Sequence, residues 1–234
     1  MTIPTLFDWL AYFDFLRGYP ATWILLVTGT FVVLFLDWRL ALFALIIQYL
    51  VSSLLFFDLL SAQLALIKLF TGMFVCLILY WTARQIDDYH ASQPKDIRRQ
   101  EDPIARVQLG PLSLPQDFAL RAGSIIVALL LVAVLAGAFS FYLPGLPETV
   151  PYINLASLLL MALGMAGLVA GRAPLPAGMA VLTFLTGFEL YFAALDQSTR
   201  VLAILSAADF MVALVTAFLA QRQATAYSRA LHDS

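Results

Sequence analysis

Three ionisable residues stand where ionisable residues are costly. Glu189 lies near the middle of the apolar run TFLTGFELYFAAL, Asp209 near the middle of AILSAADFMVALV, and Lys68 inside ALIKLFTGMFVCL. A carboxylate at the centre of a bilayer costs about 2.5–3.5 kcal/mol on insertion scales. Residues of this kind face a bundle interior or a wet cavity and mark ion or proton paths. Two carboxylates on consecutive apolar segments can pass a proton between them, and an ammonium at a similar depth can bridge or tune them. The alternative is structural: Lys68 neutralises Glu189 or Asp209 and fixes helix packing.

Polar neighbours follow the same faces at helical spacing. Ser206, Asp209, Ala213 and Thr216 share one stripe, and Thr183, Thr186 and Glu189 share another. Gln48, Tyr49, Ser52 and Ser53 form a polar patch at comparable depth. The expected proton-relay set is Glu189, Asp209 and Lys68, supported by Gln48, Thr186, Ser206 and Thr216. At ~1.5 Å rise per residue, the three charged groups lie roughly 3–7 Å from the midplane, all displaced to one side. That places them in a lateral layer parallel to the membrane.

Other chemistries find no residues. No Gly-rich phosphate loop or nucleophile–base pair occurs. His90 and His232 are far apart in sequence, and the single cysteine, Cys76, sits inside an apolar run. No metal, cofactor, catalytic residue or disulfide framework is expected. No long basic or acidic tail points to nucleic acid.

The elements that must position the charges are membrane helices. The chain has 234 residues, 62% of them hydrophobic and only 12% charged, too apolar for a soluble domain. The expected fold is all-α and polytopic, with about seven transmembrane helices over 22–36, 40–57, 62–83, 119–143, 152–170, 177–195 and 201–221. An aromatic N-terminal segment over 1–20, containing LFDWLAYFDFLRGYP, is expected to lie at the interface, as a short helix over 5–16 or as an irregular arm on the bundle. It lacks a positive n-region and a small-residue cleavage site, so no cleavable signal is expected. Residues 21–83 form a first three-helix part and 84–118 a polar, Pro-rich loop. A four-helix part covers 119–221, and 222–234 form a polar tail. The helix reading NLASLLLMALGMAGLVAG is small-sided, with Gly167 and Gly171 in a GxxxG spacing that favours close packing in lipid. No inverted repeat between the halves is apparent, which disfavours a transporter acting alone.

Seven spans sort the basic residues by side. Arg39, Arg84, Lys95, Arg98, Arg99, Arg106, Arg121, Arg172, Arg222 and Arg229 fall on one side, against Arg17 and Arg200 on the other. By the positive-inside rule the loop 84–118 and the C-terminus are cytoplasmic and the N-terminus is outside, in a cell inner (plasma) membrane.

The C-terminal third resembles a known family. The stretch LLLMALGMAGLVAGRAPLPAGMAVLTFLTGFELYFAAL followed by LSAADFMVALVTAFLA is similar to the small K-type subunit of respiratory complex I. It is similar also to that subunit's relative, the C-type subunit of multisubunit cation/proton antiporters. The resemblance covers a three-helix unit over 152–221 and sets Glu189 and Asp209 at the family's two proton-relaying carboxylates, with Asp209 where the complex I subunit usually has Glu. Over its whole length, with DWRL and YWTARQI in the first half, the chain resembles component E of hydrogenase-4-type complexes. The resemblance implies a membrane-arm subunit of a redox-driven proton pump, itself without a redox centre. Its partners would be antiporter-like and quinone-site-type membrane subunits, and lipid. The rival expectations are a subunit of a multisubunit cation/proton antiporter and a structural membrane anchor.

The charge asymmetry makes topology testable. In a Cys76→Ala background, a cysteine near Gln100 is expected to react with impermeant maleimide only from the cytoplasmic side, and one near Thr199 only from outside. Labelling near Gln100 in intact cells overturns this orientation.

Overall fold

The computed structural model describes residues 18–35, 37–91, 106–109, 112–138, 143–144, 151–171 and 173–232. The interfacial helix expected over 5–16 lies outside the described residues. All seven expected apolar helices are present. α1 (Tyr19–Leu34) starts after Gly18, whose φ of +80° is the left-handed conformation glycine tolerates. Pro20, in the first turn, needs no hydrogen-bonded N–H there. α2 (Trp38–Leu59) is capped by Asp37, whose side chain accepts from the Arg39 N–H at 3.1 Å. The turn expected over Asp37-Trp38-Arg39 is therefore narrower, because that cap starts the helix at once.

α3 (Ala62–Ala91) runs eight residues past its expected end at 83. The residues RQIDDYHA contain no Gly or Pro, so polarity alone does not stop the helix. In the connection after it, β1 (Arg106–Leu109) pairs antiparallel with β2 (Leu112–Pro115). α4 (Gln116–Ala133) passes into a π turn at Val134–Ala138, and Leu143, its expected last residue, is not helical. The Leu143 N–H donates to Asn154 Oδ1 at 3.0 Å, so the chain there is held by the next helix. α5 (Pro151–Ala170) and α6 (Pro174–Leu195) follow. α7 (Thr199–His232) takes in most of the expected polar tail, because QRQATAYSRALH again lacks helix breakers. Asp196 accepts from the N–H and hydroxyl of Ser198 at 2.9 and 3.0 Å, closing the α6–α7 turn.

Helices α2 to α7 are each long and apolar enough to cross a membrane, and α1, at 16 residues, is a shorter apolar helix. The outer surface carries Trp23, Phe43, Phe70, Trp81, Val127 and Met211, all exposed, as a lipid-facing surface requires. The protein is an all-α polytopic membrane protein.

The helices lie in two rows of three. α1, α2 and α3 pack in sequence, and so do α5, α6 and α7. Across the rows α1 meets α5, α2 meets α6 and α3 meets α7. These cross-row pairs run parallel. Tyr19 stacks edge-on against Tyr152 near the starts of α1 and α5. Gln85 and Gln221 bond at 2.9 Å far along α3 and α7. α4 stands outside the rows, against α1 and α5, and is antiparallel to α1: Arg121 Nη1 at its start donates to Val33 O at the end of α1 at 3.0 Å.

Two apolar clusters fill the space between rows. One, around Leu25, Leu55, Phe56, Ile153, Leu190 and Leu202, lies toward the end where α1, α3, α5 and α7 begin. The other, around Val32, Leu45, Val75, Leu79, Leu182 and Ala213, lies toward the opposite end. The rows approach closely where side chains are absent. A Cβ on Gly164 would sit 2.5 Å from the backbone N of Phe184, and one on Gly167 would sit 2.7 Å from Ala180 Cβ. The GxxxG stripe thus lies in the α5–α6 seam.

Gly164→Ala is expected to destabilise the detergent-solubilised protein by about 1–3 kcal/mol, because backbone on α6 must retreat. Gly123→Ala, on α4 with nothing within 4 Å of the added methyl, is expected to be neutral or to stabilise by up to about 1 kcal/mol. Denaturant unfolding of both variants in one detergent checks the contrast.

Candidate functional site

Between the two apolar clusters lies a layer of ionisable groups. Lys68 on α3, Glu189 on α6 and Asp209 on α7 converge there, each at most 2% exposed. The Lys68 ammonium donates to Asp209 Oδ2 at 2.6 Å and also to Glu189 Oε1. One cation therefore bridges two carboxyl groups from two other helices. With all three groups charged the trio carries a net −1. One further proton on either carboxyl makes it neutral.

Each helix reaches the layer from the depth its sequence dictates. Lys68 follows Ala65 of the first apolar cluster and precedes Val75 of the second. Glu189 stands beside Leu190 of the first and after Leu182 of the second. Asp209 lies between Leu202 and Ala213 in the same way. The row arrangement does the rest: α3 and α7 are cross-row partners, and α6 is the neighbour of α7 in its own row.

The trio leaves unused valence. Glu189 Oε2 and Asp209 Oδ1 are buried without a hydrogen-bond partner among the described residues. So are Ser206 Oγ, Gln48 Nε2, the Tyr49 hydroxyl and Ser157 Oγ. A buried polar atom without a partner costs about 1–3 kcal/mol, and a water molecule with two to four polar neighbours can satisfy such atoms.

The expected supporting residues are all inside the bundle. Gln48 and Thr186 are fully buried, and Ser206 and Thr216 nearly so. Their roles divide. Thr186 donates to the Leu182 carbonyl of its own helix at 2.8 Å, and Thr183 to Met179 O at 3.0 Å, leaving only lone pairs for the layer. Thr216 packs against Gly178, where any side chain would overlap it, and belongs to the α6–α7 seam. Gln48 faces Thr183 across the α2–α6 contact.

Two further contributors are Tyr49, already in the polar patch expected on α2, and Ser157, which the sequence does not single out. Tyr49 enters the interior because Gly72, one turn along α3 from Lys68, leaves room: a Cβ there would sit 2.5 Å from the Tyr49 ring. Ser157 on α5 lies beside Gly187, whose missing side chain lets the Ser157 backbone approach. Both depend on glycines on a different helix, which periodicity within one helix does not reveal. No group of three or more His, Cys, Asp or Glu suited to a metal ion occurs among the described residues.

Comparison with known proteins returns nothing: no protein-family model, curated protein or solved structure matches the chain. What defines the protein is its own architecture, a two-row helical membrane bundle around one buried ammonium–dicarboxyl trio.

Lys68→Met is expected to lower stability by up to about 3–5 kcal/mol, because it leaves two buried acids without their cation. Adding Glu189→Gln and Asp209→Asn to the same chain is expected to restore most of the loss. Unfolding of the single and triple variants in detergent is the check, and a triple variant as weak as the single one contradicts the pairing.

Proposed function

We propose that the chain is a membrane-arm subunit of a complex I-like, redox-driven proton pump of the hydrogenase or dehydrogenase type, and that its trio relays protons. One observation carries the reading: a single Lys68 ammonium serves two carboxyl groups, Glu189 and Asp209, each with a free oxygen. Such a trio has two arrangements. A proton on Glu189 leaves Lys68 to Asp209, and a proton on Asp209 leaves Lys68 to Glu189. Exchange between them moves one proton from one carboxyl to the other while the Lys68 ammonium shifts its contact the opposite way, without moving a helix.

The surroundings support lateral transfer. Apolar clusters close the layer toward both ends of the bundle. Polar atoms extend it sideways, from Ser157 on α5 to Ser206 and Asp209 on α7. A subunit that passes charge sideways needs neighbours to receive it, and this fits antiporter-like and quinone-site-type membrane partners. The resemblance of the α5–α7 stretch to K-type subunits points the same way. In this reading the membrane is a cell inner membrane, with the connection between α3 and α4 and the C-terminus on the cytoplasmic side. That end also holds a cavity of about 390 Å³ between the rows, lined by Val32, Ala41, Ile86, Met179, Ala220 and Gln223, a vestibule facing the second apolar cluster. An antiporter subunit would use the same trio with a cation on one side of the exchange.

A second reading has its own observation. Lys68 ties three helices together through two direct ion contacts, so the trio also serves as a packing clamp. The two readings separate in one experiment. Glu189→Gln and Asp209→Asn keep size and hydrogen bonding but remove the titrating proton. The relay predicts a loss of proton translocation of about tenfold or more in vesicles, with complex yield preserved, while Asp209→Glu retains activity. The clamp alone predicts lowered yield or stability with normal pumping per assembled complex. Normal pumping by the Glu189→Gln, Asp209→Asn double variant would falsify the relay.

A further inference from the structure

A second charged cluster stands at the membrane boundary, outside the bundle interior. A crevice of about 570 Å³ opens between α2 and α3 at the end where α2 begins. Its polar edge carries Arg39, Arg84, Asp87 and Asp88. Its floor runs into the apolar part of α2 through Leu42, Phe43 and Ile46, over roughly 10 Å from Arg39 to Ile46. Trp38 and Tyr80 flank the transition, with ring centroids 6.1 Å apart, as aromatics do at a headgroup boundary.

We propose that this crevice binds a phospholipid whose headgroup is zwitterionic and carries a primary ammonium. The site has two halves of opposite sign. Arg39 is 68% exposed, is held by Asp87 at 2.9 Å, and lies over the Trp38 ring at 5.2 Å. That single bond leaves guanidinium N–H groups for a phosphodiester, as does Arg84 one helical turn from Asp87 and Asp88. Asp87 Oδ2 is taken by Arg39, which leaves the other Asp87 oxygen and the Asp88 carboxylate to accept from a donor. A primary ammonium offers three N–H bonds, and a quaternary one offers none. The four side chains sum to zero, so an anionic headgroup would leave net negative charge beside two carboxylates. Phe43, 61% exposed, and Ile46 continue the floor on the lipid-facing side, where an acyl chain runs. The occupant is thus a lipid molecule, with charge complementarity at its head and apolar contact below.

The test is native mass spectrometry of the full chain released from nanodiscs. The discs hold an equimolar series of phosphatidylethanolamine, its N-methyl and N,N-dimethyl forms, and phosphatidylcholine, with phosphatidylglycerol as a further arm. The proposal expects retained lipid to fall along the methylation series, by about tenfold from first to last, the effect of losing a charge-assisted hydrogen bond. Asp87→Asn with Asp88→Asn is expected to abolish that order and shift retention toward phosphatidylglycerol. Arg39→Gln with Arg84→Gln is expected to weaken retention of every member. A flat series on the unaltered protein overturns the proposal, and that arm needs no variant to fold. An unchanged order in the aspartate variant overturns it equally.

Discussion

The structure depends on keeping one ammonium and two carboxyls together inside the bundle. Removing a charge from water costs several kcal/mol per ion even after relaxation, and attraction between the ions offsets it only when geometry is good. At an effective dielectric of about 20, a contact at hydrogen-bonding distance recovers several kcal/mol. Lys68 makes two such contacts, to helices that are not its neighbours in sequence. α3, α6 and α7 therefore have to meet at one depth, and the rest of the bundle is arranged so that they do. Gly164, Gly167 and Gly187 bring α5 against α6, Gly178 brings α6 against α7, and Gly72 admits Tyr49 from α2.

The row arrangement explains why these helices meet. α1–α3 and α5–α7 are consecutive triplets running in the same sense, and α4 stands outside them to restore direction between the two. Each helix of the first triplet then lies parallel to its counterpart in the second, at matching depth. Lys68 and Asp209 sit on counterparts, α3 and α7, a few residues apart in depth from their helix starts. A cation placed in one triplet thereby meets an anion in the other. Sequence comparison of the halves shows no convincing repeat because what they share is packing order, which apolar residues satisfy interchangeably.

Much of this was legible in the chain. Long apolar runs forecast all seven helices, and ionisable residues inside them identified Lys68, Glu189 and Asp209, since nothing else explains charge at that depth. Element ends were less legible. α3 and α7 run on through polar residues because helix propensity, which tracks Gly and Pro, outlasts hydrophobicity. Arg121 reads as a boundary residue, yet it is buried with its guanidinium on the Val33 carbonyl, an outcome set by where α4 packs. Tyr49 and Ser157 owe their place to glycines on partner helices, so their surroundings are a property of contacts between helices.

The apolar clusters on either side of the trio set what the layer is able to do. A polar path open along the bundle axis would leak, since water columns conduct protons down any gradient. Here Leu45, Leu79 and Leu182 close one side and Leu55, Phe56 and Leu190 the other, while the unpartnered oxygens of Glu189 and Asp209 lie between them. Under the proposed relay, charge enters or leaves only when one cluster takes up water or when a neighbouring subunit presents its own polar group at the same depth. The direction of transfer is then decided by which side is wet and not by the trio, whose two states differ in which carboxyl holds the proton and which one Lys68 serves. On that proposal an energy source would act on the apolar seals and leave the trio itself unchanged.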